Sequence, residues 1–312
     1  MNLFSHGKVV SVLQYFTDKI DDYWHIVYPL TNSREMEKDP YLYYYDISRK
    51  ATDYSGEFSP DGLYMFYGYD GKYHIYALEL AQYTLACWLA WRKNGDKIWL
   101  DKAMLHSDWL VGNQKEDGSW RMEHKNQKYS SMPDSWSSAL AQGLAVSALV
   151  RAYRYTDDKS YLIAAQKAVD FLEVDVKKGG VKRSFWIEGE EYFIYEEYPT
   201  STLNGVLNGH ISALLGLKDF DEVVGKESEL YRKNIENLID LLPHYDIGYW
   251  SLYSLDGNIS SGFYHRLVVR QLKALTGLDV RFSYWHHRFN SYLENKFYAL
   301  AALTKKIAGR FS

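Results

Sequence analysis

The stretch Tyr195-Glu196-Glu197-Tyr198 sets two adjacent carboxylates between two phenols, and Pro199-Thr200 follows at once. Pro199 disfavours helix at Tyr198 and pushes it toward extended backbone. Side chains alternate along extended chain, so Glu196 and Tyr198 are expected to face one way and Tyr195 and Glu197 the other. One carboxylate can then enter a cleft while its neighbour is held from behind, as a support or as an anion at a helix start. Val206-Leu207-Asn208-Gly209-His210 next leads into an apolar run through Ile211, Leu214, Leu215 and Leu217, which reads as a buried helix. A carboxylate beside phenols at a helix entrance can take and return a proton. An ordinary loop can look the same. Two more clusters carry similar groups: His244 to Tyr253, with Asp246, Tyr249 and Trp250 between them, and Gly262-Phe263-Tyr264-His265-Arg266.

The elements that would position these groups are mostly helical. Leu78, Ala81, Leu85, Trp88 and Leu89 recur at helical spacing until Asn94-Gly95, and a second helix runs from Ile98 to Leu110. Residues 137–153 are apolar nearly all round, the pattern of a helix buried on every side. The 160–173 segment has one apolar stripe (Leu162, Ala165, Val169, Leu172), and the alternation continues through helices expected at 203–217, 226–242, 264–276 and 288–308. Buried and half-buried helices in alternation describe two layers: a mainly α fold, an (α/α) barrel or toroid, closed or open. Residues 1–75 lack this period. They hold Tyr41, Tyr43, Tyr44 and Tyr45 and turn signals at Ser59-Pro60-Asp61-Gly62 and Asp70-Gly71, so a small arm with short strands is expected there, ahead of a main domain over 76–312. The aromatic loops 113–136, 178–202 and 245–264 would form a cleft if they share one end.

The chain has 312 residues, ample for a large core, and a net charge of −4, which gives no reason to expect nucleic acid or an anionic membrane as partner. An anionic ligand would need a local basic groove, for which Arg121, Lys125, Lys128, Lys177, Lys178, Lys182 and Arg183 are candidates, and a solvated surface is the plainer reading. The single cysteine, Cys87, leaves no intrachain disulfide. No apolar run is long enough for a membrane span and the N-terminus does not read as a signal peptide, so a cytoplasmic place is expected. No ligand spacing implies a metal, and no cofactor is called for. With 17% aromatic residues, rings such as Trp109, Trp120 and Trp136 could stack on sugar or fill a helical core.

Several motifs, in consistent order over about residues 100–307, resemble the D-glucuronyl C5-epimerases, including heparan sulfate/heparosan glucuronate 5-epimerase. They are Asp108-Trp109-Leu110-Val111, Asn113-Gln114, Gly118-Ser119-Trp120, Ser138-Ala139-Leu140-Ala141-Gln142-Gly143, Glu196-Glu197-Tyr198-Pro199-Thr200, Val206-Leu207-Asn208-Gly209, Leu214-Leu215-Gly216-Leu217, Tyr264-His265 and Gln271-Leu272. The resemblance implies an α/α barrel, commonly a homodimer, that converts glucuronate to iduronate inside a polysaccharide. It places the family's catalytic groups on Glu197, Tyr198, Tyr253 and Tyr264. Removing the hydrogen on C5 leaves an enediolate-like carbanion, and inversion needs a base on one face of the ring and an acid on the other. Glu197 and Tyr264 are the expected opposed pair, with Tyr198 and Tyr253 orienting the sugar or sharing the proton. Arg183, Asn208, His265, Arg266 and Trp120 are candidates for binding the substrate. Where animal members carry an arginine, a second histidine and an asparagine, this chain has Asp256, Val268 and Arg270, so a different uronate polymer is plausible. A uronate polysaccharide lyase and a non-catalytic glycan-binding protein are the competing readings. A glycoside hydrolase using Asp246 as the second acid is a weaker one.

Overall fold

The computed structural model describes residues 6–18, 28–29, 39–68, 70–123, 129 and 131–309. The fold is mainly α. Three helices, Ala77–Asn94, Ala139–Thr156 and Leu207–Val224, are buried along most of their length and pack side by side. Each is followed by a helix with one buried stripe: Lys97–Asn113, Lys159–Leu172 and Glu229–Leu241. Gly262–Leu275 joins the row beside Leu207–Val224 and is covered by Phe282–Glu294. The mainly α expectation is met, and buried and half-buried helices alternate as expected.

Small residues explain why the central pair packs so tightly. A Cβ on Gly216 would lie 2.7 Å from Gly143 Cα, closer than real side chains come, so Ala139–Thr156 and Leu207–Val224 meet backbone to backbone. The outer helices start on side-chain caps. Asp96, Asp158 and Ser228 accept backbone N–H groups of Ile98, Ser160 and Tyr231, each cap contributing about 1 kcal/mol. The expected 288–308 helix is two helices, Phe282–Glu294 and Lys296–Ala308. Asn295 breaks the run because its side chain accepts from Phe297 N and Tyr298 N and so caps a new helix. His286-His287-Arg288 lies inside Phe282–Glu294.

The N-terminal segment carries short strands, and Tyr45–Asp46 and Phe66–Tyr67 pair antiparallel with Tyr28–Pro29 and Tyr73–His74. It also carries a helix, His6–Leu13, where none was expected. Tyr15, Tyr43, Tyr44, Tyr45 and Tyr64 share one buried apolar cluster with the inner helices. Gly262 lets the chain at Gln14-Tyr15 lie against the start of Gly262–Leu275, and Tyr15 stacks on Trp250 with ring centres 5.8 Å apart. Among the described residues no helix is long and apolar enough to cross a membrane.

Candidate active site

The strand Glu190–Tyr195 pairs antiparallel with Lys182–Ile187 and delivers the chain to Glu196. Glu196 is fully buried. Its carboxylate accepts from Arg183 Nε at 2.6 Å, Asn204 N at 3.1 Å and Gly205 N at 2.8 Å. Burial pushes its pKa up, while these donors and the guanidinium charge oppose the rise. Glu196 is therefore the carboxylate held from behind. Its bonds fix the loop 200–205, which delays the next helix to Leu207 from the expected 203.

Glu197 turns the other way, toward the Tyr198 and Tyr253 phenols. It lies over the first turn of Leu207–Val224, where a helix start favours negative charge. Asn208 Nδ2 donates to its Oε2 at 3.2 Å, and Gly209 makes room: a Cβ there would sit 2.8 Å from Glu197 Cβ and 2.9 Å from Oε2. Strict alternation fails at the next residue. The chain bends at Glu197-Tyr198, Thr200 N bonds back to Tyr198 O, and the Tyr198 hydroxyl hydrogen-bonds Glu197. Carboxylate and phenol thus share one side.

The other two tyrosines arrive from the last third of the chain. Tyr253 O accepts the N–H of Leu207 at 3.1 Å, which ties Tyr253 to the helix start that carries Glu197. Tyr264 stands in the first turn of Gly262–Leu275, and its N–H is capped by Ser261 Oγ at 3.3 Å. The rings of Tyr253 and Tyr264 are 4.7 Å apart, and both groups lie within electrostatic reach of Tyr198. Tyr129 closes on Tyr198 at 4.8 Å between ring centres, and Trp136 at 6.0 Å. The three aromatic loops do meet at one end. Burial first, and the neighbouring Glu197 charge second, hold the Tyr198 and Tyr253 phenols well above the usual tyrosine range. Both are neutral O–H groups at ordinary pH.

The five expected substrate contacts fare differently. Asn208 is in the site and supports Glu197; its Oδ1 is buried with no hydrogen-bond partner among the described residues. Arg183 is engaged by Glu196 and the Thr200 carbonyl. Arg266 Nε donates to Gln14 O at 3.0 Å, so it holds the N-terminal segment. His265 is enclosed: Nε2 meets Phe289 O at 3.0 Å, Nδ1 meets Ser251 Oγ at 2.7 Å, and the ring stacks on Trp250. Burial pulls its pKa down to about 3, so it is a neutral core histidine. Trp120 is 2% exposed and its Nε1 donates to Leu110 O at 2.9 Å. These positions replace the expected ligand contacts of His265 and Trp120 with packing roles, because apolar neighbours surround both. Part of the candidate basic groove is taken up in local pairs: Arg121 binds Asp117 and Gly179 O, and Lys182 binds Glu173, while Lys177 and Lys178 are exposed. Lys125 and Lys128 lie outside the described residues. Asp246 is paired with Arg288 and accepts from Tyr292 at 2.8 Å.

Sequence reasoning missed Tyr129, Tyr76, Lys50 and Glu79. Tyr76 and Tyr129 pack with Tyr198, Met122, Met132 and Trp136. Glu79 and Lys50 come from the N-terminal third, and only the helix phase that puts Glu79 and Gln82 on one face hinted at a shared role.

With this geometry in place, comparison with known proteins adds a family. The D-glucuronyl C5-epimerase C-terminus family matches residues 114–291, more than half of the chain. The chain is 32% identical over 197 residues to a D-glucuronyl C5-epimerase of Caenorhabditis elegans, covering 55% of this chain and 31% of that protein. It is 31% identical over 171 residues to an uncharacterized protein of Methanocaldococcus jannaschii, covering 53% of this chain and 55% of that one. The aligned stretch thus spans under a third of the worm protein and about half of the archaeal one.

Proposed function

Because this chain belongs to the D-glucuronyl C5-epimerase family, we propose that it inverts C5 of glucuronate residues in a polysaccharide by proton abstraction and return. One observation carries the reading: Glu197 sits among Tyr198, Tyr253 and Tyr264, drawn from the chain's middle and last third, with Glu197 and Tyr253 buried and the other two half-buried. In this reading Glu197 takes the C5 proton from one face. The electron pair moves into the sugar carboxylate, and Tyr264 returns a proton from the other face. Tyr253, held neutral, donates a hydrogen bond to the sugar, and Tyr198, whose O–H is given to Glu197, shares the proton with that carboxylate. Which of Glu197 and Tyr264 starts depends on direction, since the reverse reaction exchanges their tasks.

Two features favour epimerisation over the competing chemistries. A lyase would draw on a Tyr–His pair, and the imidazole of His265 is walled in with both nitrogens engaged. A hydrolase would need Asp246 as the partner acid, and that carboxylate belongs to Arg288 and Tyr292. The test is to incubate the protein with a panel of glucuronate polymers and follow the products by NMR and ultraviolet absorbance. Iduronate signals without unsaturated uronate support the proposal. Unsaturated product would establish the lyase, and binding without either would establish a glycan-binding protein.

Gly209 gives a sharper expectation. Gly209→Ala should raise helix propensity by about 1 kcal/mol while pushing against Glu197. The crowding is expected to outweigh that gain and cost about 1–3 kcal/mol of stability, and epimerisation is expected to fall by up to about 10²-fold through misplacement of the carboxylate. Unchanged turnover in a stable variant would show that the position of Glu197 is unimportant.

A further inference from the structure

Glu79 stands in the first turn of the inner helix Ala77–Asn94, within electrostatic reach of Tyr76, which packs with Tyr198 and Trp136. Its Oε2 is shut off from solvent and has no hydrogen-bond partner among the described residues. A buried carboxyl oxygen without a partner is costly and calls for an explanation, such as a ligand atom that completes it. Lys50, itself 6% exposed on the short Arg49–Thr52 helix, reaches over the same helix face and donates to Gln82 Oε1 at 3.1 Å. Glu79 lies within electrostatic reach of both Lys50 and Glu197. Both residues precede the 114–291 stretch that the family matches.

We propose that Glu79, backed by Lys50, is the corner of the cleft that receives the carboxylate of the sugar ring being deprotonated; this rests on the reading of the site as a uronate site. Deprotonation at C5 drives an electron pair into that carboxylate, so its oxygens gain charge and need donors. The epimerase tyrosines and Glu197 bring no cation. Lys50 supplies a positive charge, and Glu79 supplies an O–H when it carries a proton. Burial pushes the Glu79 pKa up to about 7, with Glu197 adding to the rise and Lys50 opposing it. The titratable groups that bear on it are Lys50 from the Arg49–Thr52 helix, Glu197 from the loop, and Tyr76 just ahead of its own helix. A second anion arriving beside Glu79 favours its protonated form, so binding of the uronate takes up a proton from solvent.

Calorimetric titration with a heparosan oligosaccharide, in buffers of different ionisation heat at neutral pH, reads this uptake directly. The carboxyl-reduced oligosaccharide serves as the control ligand. The expected result is proton uptake with the native oligosaccharide only, lost in Glu79→Gln. Glu79→Gln keeps the side-chain shape and a donor, so its affinity should stay within a few-fold, whereas Lys50→Met should weaken the charged ligand about tenfold and leave the neutral one alone. Uptake that persists in Glu79→Gln, or affinity indifferent to the ligand's carboxylate, overturns the proposal. If C5 exchange occurs while uptake persists in Glu79→Gln, only this inference fails. If uptake is lost in Glu79→Gln and no exchange occurs, the carboxylate corner stands and the epimerase reading fails. Wild-type protein that binds neither the native nor the carboxyl-reduced form of any oligosaccharide from the glucuronate panel overturns both.

Discussion

A Glu197→Gln variant is expected to keep its fold and lose C5 proton exchange by about 10²–10⁴-fold. The amide retains the volume of the carboxylate over Gly209 and can still accept from Asn208 Nδ2. It cannot take a proton from carbon. The variant also removes the negative charge that helps hold the Tyr198 and Tyr253 phenols high. Their pKa values should fall toward the ordinary range, because the burial contribution remains and the charge contribution does not. A tyrosine titration followed by ultraviolet difference spectroscopy can see this shift without substrate. Full exchange activity in Glu197→Gln, with intact secondary structure, would remove the carboxylate from the mechanism.

The second large effect is on stability, far from the proton chemistry. Arg151 and Asp219 form an ion pair at 2.7 Å with side chains only 2% and 5% exposed. Arg151 also donates to Ser147 O and Leu42 O and lies over the Tyr43 ring, and the Tyr44 hydroxyl donates to Asp219 at 3.1 Å. This network locks the 41–45 segment onto the inner helices Ala139–Thr156 and Leu207–Val224. Arg151→Met strands the Asp219 charge in the core and is expected to cost about 3–5 kcal/mol, read from the denaturant midpoint. Replacing both partners, Arg151→Met with Asp219→Leu, should recover much of the loss, because no buried charge remains. A double variant as unstable as the single one would show that packing of the arginine stem, and not the charge, holds the segment.

The parts of this molecule that sequence exposed are those in which local pattern and final environment agree. Pro199 after Glu-Glu-Tyr marked that stretch as non-helical, and the apolar run through Leu214 and Leu215 marked the buried helix behind it. One physical rule, the alternation of side chains along extended chain, set Glu196 and Glu197 on opposite sides, and the structure keeps it for that pair. It breaks at Tyr198, because the Tyr198–Thr200 turn swings the phenol back, a turn geometry that a single Pro does not specify. His265 and Trp120 misled because a polar ring in a motif looks alike whether it meets a ligand or a backbone carbonyl; only tertiary enclosure decides. Asn295 was a readable cap, hidden by leucines that continue the apolar period across it. Glu79 and Lys50 were invisible for a different reason. Each sits in an unremarkable local context, an acid in a first turn and a lysine in a short helix, and only the fold sets them beside Glu197.

The most direct measurement of the central claim is the hydrogen at C5. Wild-type protein incubated with glucuronate polymer in deuterated water should leave deuterium at C5 of both glucuronate and iduronate, with no chain cleavage, and Glu197→Gln should leave almost none. Epimerised product whose C5 still carries its original hydrogen, or deuterium entering at the wild-type rate without Glu197, would contradict it.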